Sequence, residues 1–144
     1  MNKTDQFLLW IDDDHQLLDH AVSRLRENGI LVLVEPDVDR AIEIIRQRHN
    51  EVLGVLIDLM MDPGETLSVY PTEGGYETGF CLVDYLQSEG LLNGLNVRLF
   101  TNAQPAVRKY PHEESEYAVK IERKSRYKGV RFLNFVTKEF LEND

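Results

Sequence analysis

Five short apolar runs separated by helix-periodic segments constrain this chain more than any other feature of its sequence. Residues 7–11, 30–34, 52–59, 96–100 and 117–121 each have the length and the polar bounds of a strand. Between the first two, Leu17, Leu18, Ala21, Val22 and Leu25 recur at helical spacing and stop at Asn28-Gly29. Ala41, Ile42 and Ile45 stripe a second helix that runs to about His49. A third covers 80–87, with Phe80, Val83, Leu86 and Leu82 turned inward before Gly90. Pro105 and Pro111 limit any helix within 104–116 to one or two turns. Val130, Leu133, Val136, Phe140 and Leu141 mark a last helix. Strands that alternate with helices need crossover connections, so the expected class is α/β, a doubly wound five-stranded parallel sheet with helices on both faces.

Such sheets place their ligands outside the carboxyl ends of the strands. Asp12, Asp13 and Asp14 follow the first run directly, and Asp58 closes the third. Carboxylates brought together repel one another, and a hard divalent cation such as Mg²⁺ shared among their oxygens reverses the sign of that interaction. Asp14 suits a helix cap, a role that leaves Asp58 unexplained.

With 144 residues the chain has the size of one domain. A formal net charge of −9 argues against nucleic acid as a partner. Basic residues gather between Arg108 and Arg131, as a solvated face or a face for an acidic partner. Cys81 is the only cysteine, so no internal disulfide forms and a reducing cytoplasm is expected. The polar start, with only five apolar residues before the acids, is neither a signal peptide nor a membrane span. Residues 61–78 hold Pro63, Gly64, Pro71, Gly74 and Gly75, a long loop inserted over the carboxyl edge.

Trp10-Ile11-Asp12-Asp13-Asp14, Leu56-Ile57-Asp58-Leu59-Met60-Met61, Thr101 and Lys120 together resemble the receiver domain of two-component response regulators, over nearly the whole chain. The resemblance implies a flavodoxin-like fold in which Asp58 accepts a phosphoryl group from a histidine kinase or a phosphotransfer protein. It implies Mg²⁺ held by Asp13, Asp58 and the Met60 carbonyl, with Asp12 acting through water. Lys120 then neutralises a phosphoryl oxygen, with Lys124 as the alternative, and neither is followed by the proline usual in the family. Thr101 and Tyr117 become the switch pair, altering a face on the fourth helix, fifth strand and fifth helix for a downstream protein target. Only three residues follow Leu141, so a stand-alone receiver is expected, one that catalyses nothing beyond its own phosphorylation and dephosphorylation. Two departures stand out: Thr78-Gly79-Phe80 comes much later after Asp58 than in the family, and Asn102 replaces a usually small residue.

Leu99-Phe100-Thr101-Asn102 also resembles the second motif of haloacid dehalogenase-like phosphatases, with Asp12 as nucleophile. That alternative wants Thr or Val at Gln16 and a later acidic pair, and it gives Asp58 no task. A receiver-fold binding module without phosphorylation is the third possibility.

Overall fold

Pairing turns the apolar runs into one parallel sheet. Strands β1 (Phe7–Ile11), β2 (Leu31–Glu35), β3 (Val52–Ile57), β4 (Val97–Thr101) and β5 (Lys120–Arg123) lie in the order β2-β1-β3-β4-β5. The computed structural model describes residues 2–102 and 119–142. The short helix expected at 104–116, Tyr117 and the Leu17 side chain lie outside them.

Side chains alternate across β1. Phe7, Leu9 and Ile11 join the core beneath α2 (Val38–Arg48) and α3 (Thr78–Ser88), whereas Leu8 and Trp10 join the core beneath α1 (His15–Glu27) and α4 (Val130–Val136). Every residue of β1 and β3 is buried, which is why both read as unbroken apolar runs. The N-terminus of α2 is capped by the Asp37 carboxylate, which accepts from the Asp39 and Arg40 amides. No helix among the described residues is long and apolar enough to cross a membrane.

Two elements depart from expectation. Strand β5 starts at Lys120, not at 117, because an edge strand paired only to β4 needs no apolar run: its four residues are exposed or half-buried. Val119, buried just ahead of it, supplied the apolar signal. The last helix keeps Val136, Phe140 and the half-buried Leu133 and Leu141 on its core side as expected, but adds Phe132 and Phe135 and leaves Val130 out. Its buried residues are Phe132, Phe135 and Val136, continued by Phe140 in a π-helical turn, while Val130 is 55% exposed. Packing of Phe132 on Trp10 and Phe100 sets that face, with ring centroids 5.1 and 5.3 Å apart.

The long connection between β3 and α3 folds onto the body of the protein. The Met61 amide donates to the Gly75 carbonyl (3.1 Å) and the Thr78 hydroxyl to the Met61 carbonyl (2.6 Å), so the loop closes on itself. Leu67 is wholly buried in the α2–α3 core. The Asp39 carboxylate, in the first turn of α2, accepts from the amides of Glu65 (2.8 Å) and Thr66 (3.0 Å). Covered by sheet and loop, α3 buries all of its first six residues. The Thr66 hydroxyl and the Glu65 amide hold the Asp39 carboxyl below its usual range. A depressed carboxyl contributes stability above its unfolded pKa and loses it as pH falls through the folded one. Asp39→Ala is therefore expected to cost about 1–3 kcal/mol in urea unfolding at neutral pH. The difference from wild type should shrink in acid, below the usual carboxylate range near ~3.9. Equal unfolding midpoints at neutral pH contradict the anchor.

Candidate functional site

The acids converge because β1 and β3 are parallel neighbours paired through Ile11 and Ile57. Asp12 and Asp58 thus leave the sheet side by side, and the Asp58 amide donates to the Ile11 carbonyl (2.9 Å). One oxygen from each of Asp12, Asp13 and Asp58 lies within 4.8 Å of the others. Asp12 is wholly buried and Asp58 is 8% exposed, while Asp13 faces solvent. Three carboxylates are a hard oxygen donor set, the kind that suits Mg²⁺. Met60, two residues past Asp58, is exposed at the same edge.

Lys124 supplies the opposing charge. Its Nζ stands 2.5 Å from Asp12 Oδ2 and 3.5 Å from Asp58 Oδ2, on a side chain only 12% exposed. Burial pushes the Asp12 carboxyl up to about 6, the charge of Asp58 adds to the rise, and Lys124 opposes it. Burial alone favours a neutral Lys124, but Asp58 and Asp12 outweigh it and raise the ammonium pKa. One ammonium does not balance three carboxylates, so the site retains a demand for positive charge.

Lys120 is not at the acids. It pairs with Arg98, exposed at the opposite end of β5, while Thr101 pairs with Arg123 and Lys124 comes next. In a parallel in-register pair, a lysine at the carboxyl edge must follow the partner of the last β4 residue, a rule that selects Lys124. The spacing argument for Tyr117 falls with Lys120: counted from Lys124, the same place is Ile121, aliphatic and 36% exposed. Thr101 ends β4 where expected, 1% exposed, just past the level of Asp58 by the Ile57–Leu99 pairing.

Asn102 positions the lysine. Its Oδ1 accepts from the Ser125 amide (2.9 Å) and its carbonyl accepts from Arg123 Nη1 (3.3 Å), so β4 holds the turn that presents Lys124. Gly79 lets α3 start directly under the acids. Its amide donates to the Leu59 carbonyl (2.9 Å), and a Cβ there would stand 2.6 Å from the Asp58 carbonyl oxygen. The amide-capping geometry of Asn102 and the close approach at Gly79 depend on tertiary placement, which no local pattern in the sequence encodes.

No protein-family model and no curated protein matches the chain. Among solved structures it is similar to the BeF3-activated N-terminal receiver domain of RstA from Klebsiella pneumoniae, with a TM-score of 0.66 and 19% identity over 94% of this chain and 98% of that one. It is also similar to the N-terminal domain of a response regulator receiver protein from Methanoculleus marisnigri JR1, with a TM-score of 0.59 and 16% identity over 92% and 94%. At these identities the likeness establishes the architecture. The chain has the receiver-domain fold.

Proposed function

We propose that the chain is a phosphorylation-dependent signalling receiver, in which Asp58 takes a phosphoryl group from a histidine kinase or phosphotransfer protein in a Mg²⁺-dependent reaction. The observation that carries this function is the placement of Asp58, on a receiver fold, beside Asp12, Asp13 and the Lys124 ammonium. Asp58 Oδ1 accepts from the Leu59 amide at 2.8 Å, which fixes the carboxylate and leaves Oδ2 toward Lys124. A carboxylate oxygen forms the new P–O bond as the P–N bond of phosphohistidine breaks. The imidazole keeps the electron pair and takes up a proton, and an acyl phosphate results. The Lys124 ammonium stands where phosphoryl charge arrives, already oriented by Asp12. Asp13, Asp58 and the Met60 carbonyl would hold Mg²⁺, with Asp12 acting through water. The bound cation offsets carboxylate repulsion and steadies the phosphoryl oxygens. The Thr101 hydroxyl donates to the product, and its movement alters the face that a downstream protein binds. Residues 1–144 act here as one receiver unit with an insertion at 61–78.

Incubation with acetyl phosphate and Mg²⁺ is expected to add one phosphoryl group to the intact mass, and chelation of Mg²⁺ should prevent it. No gain from acetyl phosphate or any phosphohistidine donor contradicts the function. Cation binding should also depend on pH in a set direction. Asp12, with its folded pKa raised to about 6, favours the fold while protonated and costs stability as pH rises from its ordinary value toward that point. Mg²⁺ competes with that proton. Its stabilisation against urea should therefore grow as pH rises through about 6 and then level off. A stabilisation that does not vary with pH across that range contradicts a cation at Asp12.

A further inference from the structure

The base of the insertion after β3 grips the backbone beside the acids. From Leu59 to Met61 the chain is neither strand nor helix, so no ladder pairs its backbone groups. The Leu59 carbonyl accepts from the Gly79 amide (2.9 Å). The Met61 amide donates to the Gly75 carbonyl (3.1 Å), and the Met61 carbonyl accepts from the Thr78 hydroxyl (2.6 Å), which also stands 3.2 Å from the Gly75 carbonyl. Of the three carbonyls, that of Met60 alone accepts nothing among the described residues. The loop side of this grip is stiff. The Thr72 carbonyl accepts from the amides of Gly75 (3.1 Å) and Glu77 (2.8 Å), which ties 72–77 into a compact turn. Gly75 takes φ +96°, and a Cβ on it would stand 2.9 Å from the Met61 carbonyl oxygen. Thr72, Glu77 and Thr78 are buried, and the Met61 side chain is sunk in the α2–α3 core.

The Met60 carbonyl and the Met61 N–H belong to one planar trans peptide unit, so they point in opposite directions. Holding that N–H on Gly75 fixes the Met60 carbonyl on the side away from the loop, and the Thr78 bond to the next peptide unit keeps Met61 from swinging. We propose that Thr78 and Gly75 are positioning residues for the Met60 carbonyl as a cation ligand, and that the stiffness they impose favours Mg²⁺ over Ca²⁺. This role rests on the proposed Mg²⁺ chemistry at Asp58. Mg²⁺ demands near-ideal octahedral geometry with short bonds, whereas Ca²⁺ accepts longer bonds and irregular shells, so a peptide that cannot turn suits the smaller ion. Outer partners that orient a metal ligand change affinity by about 10–100-fold.

Calorimetric titration of the full chain with MgCl₂, and separately with CaCl₂, reads both affinities without a phosphoryl donor. Thr78→Val removes the hydroxyl and keeps the shape, and should weaken Mg²⁺ binding by about 10-fold while Ca²⁺ binding changes by less than ~3-fold. Thr78→Ser keeps the hydroxyl and should retain the wild-type ratio of the two affinities. Gly75→Ala strikes the grip from its other side and should move the ratio in the same direction as Thr78→Val, so the test does not depend on one variant folding. Circular dichroism reports the fold of each. The proposal is overturned if Thr78→Val or Gly75→Ala, once folded, keeps the wild-type ratio, or if Thr78→Ser loses as much Mg²⁺ affinity as Thr78→Val. Wild-type protein that binds no Mg²⁺ overturns the cation site and this role together. Wild-type binding that Asp13→Asn abolishes and that Thr78→Val leaves untouched overturns this role alone.

Discussion

Lys124→Met is expected to slow phosphorylation by acetyl phosphate by about 10²–10³-fold, the usual cost of removing one preorganised group from developing charge, whereas Lys120→Met leaves the rate unchanged. The ammonium of Lys124 is 3.5 Å from Asp58 Oδ2 and held by Asp12, so it meets the arriving phosphoryl group without reorganisation. Methionine keeps the bulk of the stem and removes only the charge. The same exchange removes what holds the Asp12 pKa down, so that carboxyl should titrate above about 6 in the variant, a shift that carbon-detected NMR reads directly. Lys120 is exposed beside Arg98, at the far end of the strand, and has no route to either effect. Slow phosphorylation in Lys120→Met with a normal rate in Lys124→Met contradicts the site as described.

Gly79→Ala is expected to destabilise the fold by about 3 kcal/mol, measured by urea unfolding. Helix propensity alone predicts the opposite sign, a gain of up to ~1 kcal/mol for alanine over glycine. Sterics decide, because the added methyl would meet the Asp58 carbonyl oxygen at 2.6 Å and the Leu59 Cα at 2.9 Å. Both are backbone atoms, which cannot rotate aside, so α3 must move off the end of β3 and take the acid edge with it. Phosphorylation of the folded fraction should fall as well. A stability equal to or above that of wild type contradicts the close approach.

The elements legible in the sequence were those whose local pattern and tertiary role coincide. Strands β1 and β3 are buried on both faces, so Phe7 to Ile11 and Val52 to Ile57 read directly as apolar runs, and the acids at their ends follow. Strand β5 has one neighbour and little burial, and its sequence KIER carries no strand signal. The apolar triplet Tyr117-Ala118-Val119 ahead of it is the stronger local pattern, and it favours Lys120 over Lys124 as the lysine at the strand end. In the last helix Val130 mimics the core stripe but is exposed, while the rings of Trp10 and Phe100 take Phe132 and Phe135 against them beside the half-buried Leu133. The insertion reads as loop because Pro63, Gly64, Pro71, Gly74 and Gly75 exclude regular structure, and that is how it folds. Its anchoring by Leu67 and Asp39 rests on partners far along the chain. Asp12, Asp13 and Asp58 fall together because they follow the ends of two neighbouring parallel strands, a property that the order of the elements carries by itself.

Chemical location of the phosphoryl group is the most direct test. After reaction with acetyl phosphate and Mg²⁺, borohydride reduces an acyl phosphate to the corresponding alcohol, and peptide mapping finds the altered residue. Reduction should convert Asp58, and only Asp58, to homoserine, and Asp58→Asn should abolish both the mass gain and the conversion. Conversion at Asp12 instead, with Asp58→Asn still phosphorylated, would show that the acid cluster serves a different nucleophile and that Asp58 is not the phosphoacceptor.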